Sequence, residues 1–297
     1  MDTTTLLLPD FLLILLGYAL KRLAAYEAGF WAGLEQFIYY VLFPPLLFNA
    51  VARASLDWQA SAPMLAMGVL FTLGGLALGY AARWLFRPGP AALNGGVQCA
   101  FRFNTYIGLA IAGGLHGQQG IAAFGVLAGL LIPLVNLVAI LLMTRSIGAR
   151  LWQELASNPL IGGIVLGLVW NLNGWSLPGW LHHLLGLLSG AALPLGLIAV
   201  GGGLHFAAWR RAPGLVAYWS AVKLLAVPLL AAGIGHLLGV RGLYFDAALI
   251  LASLPAASTA YILAVRLGGD AQLVAATITA TTLGAMLTIP LQLAWWT

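Results

Sequence analysis

The sequence predicts an all-α polytopic membrane protein: ten transmembrane helices in two inverted five-helix repeats, with helices 4 and 9 broken. Three observations predict it. The composition is too apolar for a water-soluble surface, basic residues favour one side of the apolar runs, and four segments recur in order in the second half. Of 297 residues, 62% are hydrophobic and 7% charged, so most of the surface must face hydrocarbon. The net charge of +5 is scattered singly or in pairs between apolar runs. Membrane-surface loops have that distribution, and a nucleic-acid partner is not expected.

A spanning helix needs about 20 mostly apolar residues. Breaks at Gly, Pro and polar clusters leave ten candidate spans: 6–20, 32–52, 62–86, 92–115, 118–143, 158–175, 181–206, 212–238, 244–267 and 270–296. All read as helices, because open sheet edges do not survive in lipid and the runs exceed barrel strands in length. The N-terminal MDTTTLLLPDFLLILLGYALKR lacks a positive leading region, and Lys21 and Arg22 follow the apolar run. That order predicts an uncleaved first helix entering from outside.

Loops after the odd-numbered spans hold Lys21, Arg22, Arg83, Arg87, Arg145, Arg150, Arg210, Arg211 and Arg266. The opposite loops hold only Arg53 and Arg241, nine basic residues against two. The positive-inside rule then supports ten spans and places both termini on the non-cytoplasmic side. A bacterial-type inner membrane is the expected location.

The halves resemble each other. Pro9 with Leu16-Gly17 recurs as Pro159 with Leu166-Gly167, and Pro44 as Pro194, both at an offset of 150. Asn104-Thr105, Leu109-Ala110 and Gly114 recur as Ser258-Thr259, Leu263-Ala264 and Gly268, offset 154. Ile132-Pro133-Leu134 recurs as Ile289-Pro290-Leu291, offset 157. The expected organisation is a first repeat over 1–144, a cytoplasmic linker over 145–157 and a second repeat over 158–297. Five spans per half make the second repeat enter the membrane in the opposite sense. Secondary transporters use such inverted repeats to alternate access.

Spans 4 and 9 carry matching interruptions. Span 4 reads FRFNTYIGLAIAGG and span 9 reads ASLPAASTAYILAV. Pro255 removes a backbone donor and disfavours helix before it. Asn104 and Ser258 are N-cap types, expected to accept from the first turn of a new half-helix. Unwound backbone at membrane depth must line a cavity or be buried in protein. Two half-helix N-termini near the midplane, each worth roughly +0.5 charge, with free N–H groups make an anion site. Arg102 and mid-span Lys223 add positive charge, whereas Asp10, Glu35, Asp246 and Asp270 fall toward span ends.

The candidate binding residues are therefore Arg102, Asn104, Thr105, Tyr106, Pro255, Ala256, Ala257, Ser258, Thr259 and Lys223. Arg102 either faces the substrate or holds loose carbonyls; Lys223 either contacts the substrate directly or snorkels or pairs structurally. Asn49, Asn136 and Gln292 line a pathway or bridge helices. Pro44, Pro45 and Pro194 read as kinks. His116, His182, His183, His205 and His236 show no metal-ligand spacing, with a proton relay through His205 the alternative, and the tryptophans, Trp295-Trp296 included, read as belt anchors. Cys99, the only cysteine, reads as a small apolar helix residue. No nucleotide or hydrolase motif is present, so neither an enzyme nor a cofactor or metal requirement is expected.

The segments YYVLFPPLLFNAV, FRFNTYIGLAIAGGLHG, NPLIGGIVLGL, LPLGLIAVGGGL, LPAASTAYILAVRLGGD and TTLGAMLTIPLQL occur in this order over nearly the whole chain. Through them the chain resembles the auxin efflux carrier family, which includes plant auxin exporters and bacterial malonate and malate carriers. The resemblance implies that helices 4 and 9 cross where they break. It also implies a scaffold and a transport subdomain, with a homodimer through the scaffold. By position, the crossover maps to Asn104, Thr105 and Tyr106 and to Pro255, Ala256, Ala257 and Ser258. The long cytoplasmic loop of many plant members is absent, and Ser258 stands where they often carry a second asparagine. Neither loop-based regulation nor auxin as substrate is therefore carried over.

The resulting expectation is a secondary carrier of small organic anions, malonate or malate first. Its rivals are a sodium-coupled bile-acid-type symporter, which usually supplies carboxylates around the crossing, and an anion channel.

Overall fold

The computed structural model describes residues 3–24, 26–54, 58–143, 158–204 and 212–296. The linker 145–157, His205, the loop residues Arg145, Arg150, Arg210 and Arg211, and the Arg266 side chain lie outside the described residues. Every regular element among the described residues is helical. Among the described residues, six helical stretches are long and apolar enough to cross a membrane: Gly29–Ala52, Ser61–Leu85, Pro90–Met143, Gly179–Gly202, Pro213–Leu237 and Ala271–Trp296. Gly242–Ser253 and Ser258–Val265, bent by 45°, make a seventh when taken as one span. The chain is a multi-pass membrane protein.

Pro90–Met143 covers 54 residues, which as a straight helix would reach about 80 Å against a hydrocarbon layer of about 30 Å. It is not straight. Gly117 has φ 56° and ψ −141°, a conformation essentially open to glycine alone. Just beyond it, a Cβ on Gly120 would collide with the carbonyl oxygen of Ala112, and one on Gly113 would lie 3.1 Å from the Ile121 side chain. Residues eight apart in a continuous helix are about 12 Å apart. The chain therefore reverses at Gly117.

Two compact units emerge. One comprises the described residues of Met1–Trp58, Tyr106–Leu130 and Ala149–Gly203; the other comprises those of Gln59–Thr105, Leu131–Gly148 and Leu204–Thr297. These units are not the two sequence halves. Each takes helices from both sides of the linker.

In the first unit, glycines permit close backbone approaches. Gly17 lies beneath the Ile198 carbonyl and Gly201 beneath the Ile14 carbonyl, so a Cβ on either would strike backbone. A Cβ on Gly163 would fall 2.7 Å from the Pro44 oxygen. Pro44 and Pro45 bring no N–H, and the preceding turn, Ile38–Leu42, widens into a π-helix in which the Phe43 N–H reaches the Ile38 carbonyl. The freed end of Phe43–Ala52 is capped from outside: Asn171 Nδ2 donates to the carbonyls of Val51, Ala52 and Ala54 at 3.1, 3.1 and 2.8 Å. Asn158 starts the helix Pro159–Leu172 by accepting from the Leu160 N–H at 3.0 Å, with Pro159 at the first position. Lys21 Nζ donates to the Gly202 carbonyl at 2.6 Å, closing the end of Gly179–Gly202.

The second unit repeats the proline device. Pro228 has no N–H for the Leu224 carbonyl, the turn Val222–Ala226 is a π-helix, and the Gln292 side-chain amide donates to Leu224 instead. Gln292 thus bridges helices. Trp219 corrects the belt reading. It is fully buried, its indole N–H donates to the Gly79 carbonyl at 2.9 Å, and its ring lies so close to Gly96 that a Cβ there would collide. Trp31, in the first unit, is buried too. A rigid indole fills interior volume as readily as it anchors at a headgroup.

Candidate functional site

Both expected interruptions occur, and they meet within the second unit. The helix Gln98–Phe101 stops at Arg102, whose backbone is extended (φ −78°, ψ 152°), and helix resumes at Thr105. The helix Gly242–Ser253 stops at Leu254 (φ −63°, ψ 149°), and helix resumes at Ser258. The two extended stretches touch: the Asn104 N–H donates to the Pro255 carbonyl at 3.0 Å.

The groups released by the breaks have partners. Pro255 has no N–H for the Leu251 carbonyl. The Ala256 N–H donates to Thr281 Oγ1 at 3.2 Å. The Ala252 carbonyl, whose usual donor would be that same N–H, accepts from Lys223 Nζ at 2.9 Å. At the far end of the second half-helix, Gly268 turns left-handed (φ 75°) and the Gly269 N–H closes on the Ala264 carbonyl at 2.8 Å.

Two expectations are corrected here. Ser258 is not an N-cap: the chain stays extended through Ala257 (φ −83°, ψ 144°), so Ala257 takes the cap position without a side-chain cap bond. Nor are all the N–H groups at the breaks open to a ligand, since those of Asn104 and Ala256 are held by Pro255 and Thr281. An unwound backbone buried among helices is satisfied by the nearest acceptors before any substrate arrives.

Arg102 is buried, and its guanidinium donates to Gln98 Oε1 at 3.3 Å, Asn136 Oδ1 at 2.7 Å and Thr259 Oγ1 at 3.2 Å. It thus reaches from the first interruption to the first turn of the half-helix after the second. These three partners are neutral side chains, and the bonds orient the guanidinium between the two interruptions. Asn136 serves as its tether.

The remaining candidates fall into distinct places. Thr259 is exposed, while Thr105 and Ser258 are half-buried. Asn104, Pro255 and Ala257 are buried. Ala256 packs in an apolar cluster with Cys99, Ala260, Ala264, Val274 and Ile278, so it offers a ligand backbone only. Tyr106 belongs to the first unit, where its ring stacks on Phe43 at 4.7 Å. Lys223 is buried at the end of the half-helix Gly242–Ser253. Asn49 is buried in the first unit, with no hydrogen-bond partner for Oδ1.

Residues not singled out beforehand complete the arrangement. Gln98 precedes Arg102 by one helical turn, a spacing that could have flagged it. Thr281 and Ala252 had no local signal. Among the described residues, no group of three His, Cys, Asp or Glu side chains is placed to hold a metal.

The family profile described as "Membrane transport protein" matches residues 142–293. The chain belongs to this family. Similarity to two of its relatives runs nearly the full length. The chain is 30% identical to an "Uncharacterized transporter" of Methanothermobacter thermautotrophicus, over 98% of this chain and 97% of that one. It is 27% identical to a protein of Rhizobium meliloti described as "Putative malonate transporter", over 97% and 94%. It is 26% identical to the rice (Oryza sativa subsp. japonica) protein described as "Probable auxin efflux carrier component 1b", over 52% of this chain and 28% of that one. The relationship to auxin efflux carriers implied by the motifs is thereby established, and the descriptions are those of transporters.

Proposed function

We propose that this family member is a secondary carrier of small organic anions, with dicarboxylates of the malonate and malate type as its first substrates, working by alternating access. The observation that carries the reading is the meeting of two interrupted helices at Asn104 and Pro255, with the Arg102 guanidinium reaching Thr259. Two half-helix N-termini and one buried guanidinium put positive potential near the hydroxyls of exposed Thr259 and of partly buried Ser258 and Thr105. A carboxylate accepts from all of these donors. The Rhizobium relative's description favours the same substrate class.

The ten-helix inverted repeat is part of this proposal. Pro90–Met143 turns back at Gly117 and counts twice, the bent pair counts once, and Thr3–Leu23 and Pro159–Leu172 supply the spans beyond the remaining long helices. So are inner-membrane residence with both termini outside, and pairing into a homodimer. Sodium coupling of the bile-acid type and channel conduction are the competing mechanisms.

Purified protein in liposomes, loaded with unlabelled malonate and offered labelled malonate, malate or neutral solutes, tests the reading. Counterflow of a dicarboxylate supports it. Neutral solutes crossing while every anion stays outside would sink it, and saturating current without counterflow would indicate a channel.

A further inference from the structure

We propose that Lys223 is a tethered cation: its ammonium occupies, as part of the chain, the position at the half-helix end where an ion-driven carrier would bind a coupling metal ion. The placement argues for it. Lys223 lies near the centre of Pro213–Leu237, within the π-helical turn Val222–Ala226, and is fully buried. Its Nζ donates to Ala252, the penultimate residue of Gly242–Ser253, at 2.9 Å. That helix ends inside the protein, so its C-terminal carbonyls carry roughly −0.5 charge. They have lost their own donors as well: Pro255 has no N–H, and the Ala256 N–H goes to Thr281.

Carbonyls at such half-helix ends are among the groups that coordinate a coupling cation such as sodium in carriers built on broken helices. Here a side chain supplies the positive charge, and it cannot leave. Lys223 is thus a positioning residue. It neutralises one end of the broken helix while the opposite ends face the substrate, and it makes substrate binding independent of sodium.

The consequence for transport rests on the anion-carrier reading; the tethered cation itself does not. The test therefore has a thermal arm and a transport arm, each run in choline, sodium and methylammonium chloride at equal ionic strength. Wild-type protein is expected to unfold at the same temperature in all three salts. Lys223→Ala is expected to unfold earlier in choline and to recover in methylammonium or sodium, which refill the vacated position. In liposomes, wild-type dicarboxylate counterflow should be unchanged when choline replaces sodium. The variant should lose about tenfold in choline and regain it with either small cation.

Sodium dependence in the wild type would overturn the proposal. So would a Lys223→Ala variant that melts and transports like wild type in choline, or one that folds yet responds to neither cation. If the alanine variant cannot be purified folded, Lys223→Ser takes its place, and the wild-type sodium arm still decides alone. If wild type moves no anion while the melting pattern holds, the anion reading has failed and the tethered cation has not.

Discussion

The backbone N–H of Ala256 donates to the hydroxyl of Thr281 at 3.2 Å, and that hydroxyl shares its one proton between the carbonyls of Thr277 and Ile278, at 2.9 and 3.0 Å. One side chain on the closing helix Ala271–Trp296 thus keeps the unwound segment from needing water. Thr281→Val has the same shape without the acceptor. It should cost about 1–3 kcal/mol by stranding a buried donor, whereas Thr281→Ser should stay close to wild type. Equal thermal midpoints for all three proteins would show that the bond carries no weight.

Arg102 should matter through both charge and shape. Arg102→Gln keeps a polar group but loses the charge, and dicarboxylate transport should fall about 10- to 100-fold. Arg102→Lys keeps the charge but loses the planar fork that reaches Gln98, Asn136 and Thr259, and should fall between the two. Counterflow rates would read out the order. A Gln variant as fast as wild type would remove Arg102 from the site.

Asn104 links the interruptions through its backbone, so its side chain can be cut without breaking that contact. Asn104→Ala should abolish anion transport while leaving the folded protein intact, judged by elution volume and melting. Normal transport by this variant would place the site elsewhere.

The reversal at Gly117 demands glycine. Gly117→Ala would put a side chain at φ 56° and ψ −141° and should destabilise the protein by about 1–3 kcal/mol. Unfolding at an unchanged temperature would mean that another conformation serves the turn equally well.

Two glycines of Gly179–Gly202 should respond oppositely to alanine. A Cβ on Gly201 meets the Ile14 carbonyl, while nothing lies within 4 Å of one on Gly190. Gly201→Ala should lose about 1–3 kcal/mol through overpacking. Gly190→Ala should be neutral or gain up to about 1 kcal/mol from helix propensity. Matching melting curves for the two variants would contradict the close approach.

The interruptions were legible because proline and a cap-type residue act on their own backbone. Pro255 and Asn104 mark them within a residue or two. Ser258 shows the limit of such signals: whether a helix starts at a residue or just before it depends on how long the preceding segment stays extended, and here it stays extended through Ala257. Trp219 shows another limit. Its indole suits a headgroup boundary as well as an interior beside Gly96, and nothing in the surrounding sequence distinguishes the two.

Apolar composition, basic-residue placement and the interruptions near Asn104 and Pro255 were determined by the sequence itself, because each follows from local chemistry against lipid. The partners of the buried cations were decided only by tertiary structure: Lys223 finds Ala252 and Arg102 finds Thr259 across long stretches of chain. The same holds for the two units that cut across the sequence halves. In lipid every helix is apolar all round, so hydrophobicity cannot say which helices pack together. Close backbone approach and the satisfaction of stranded polar groups decide it.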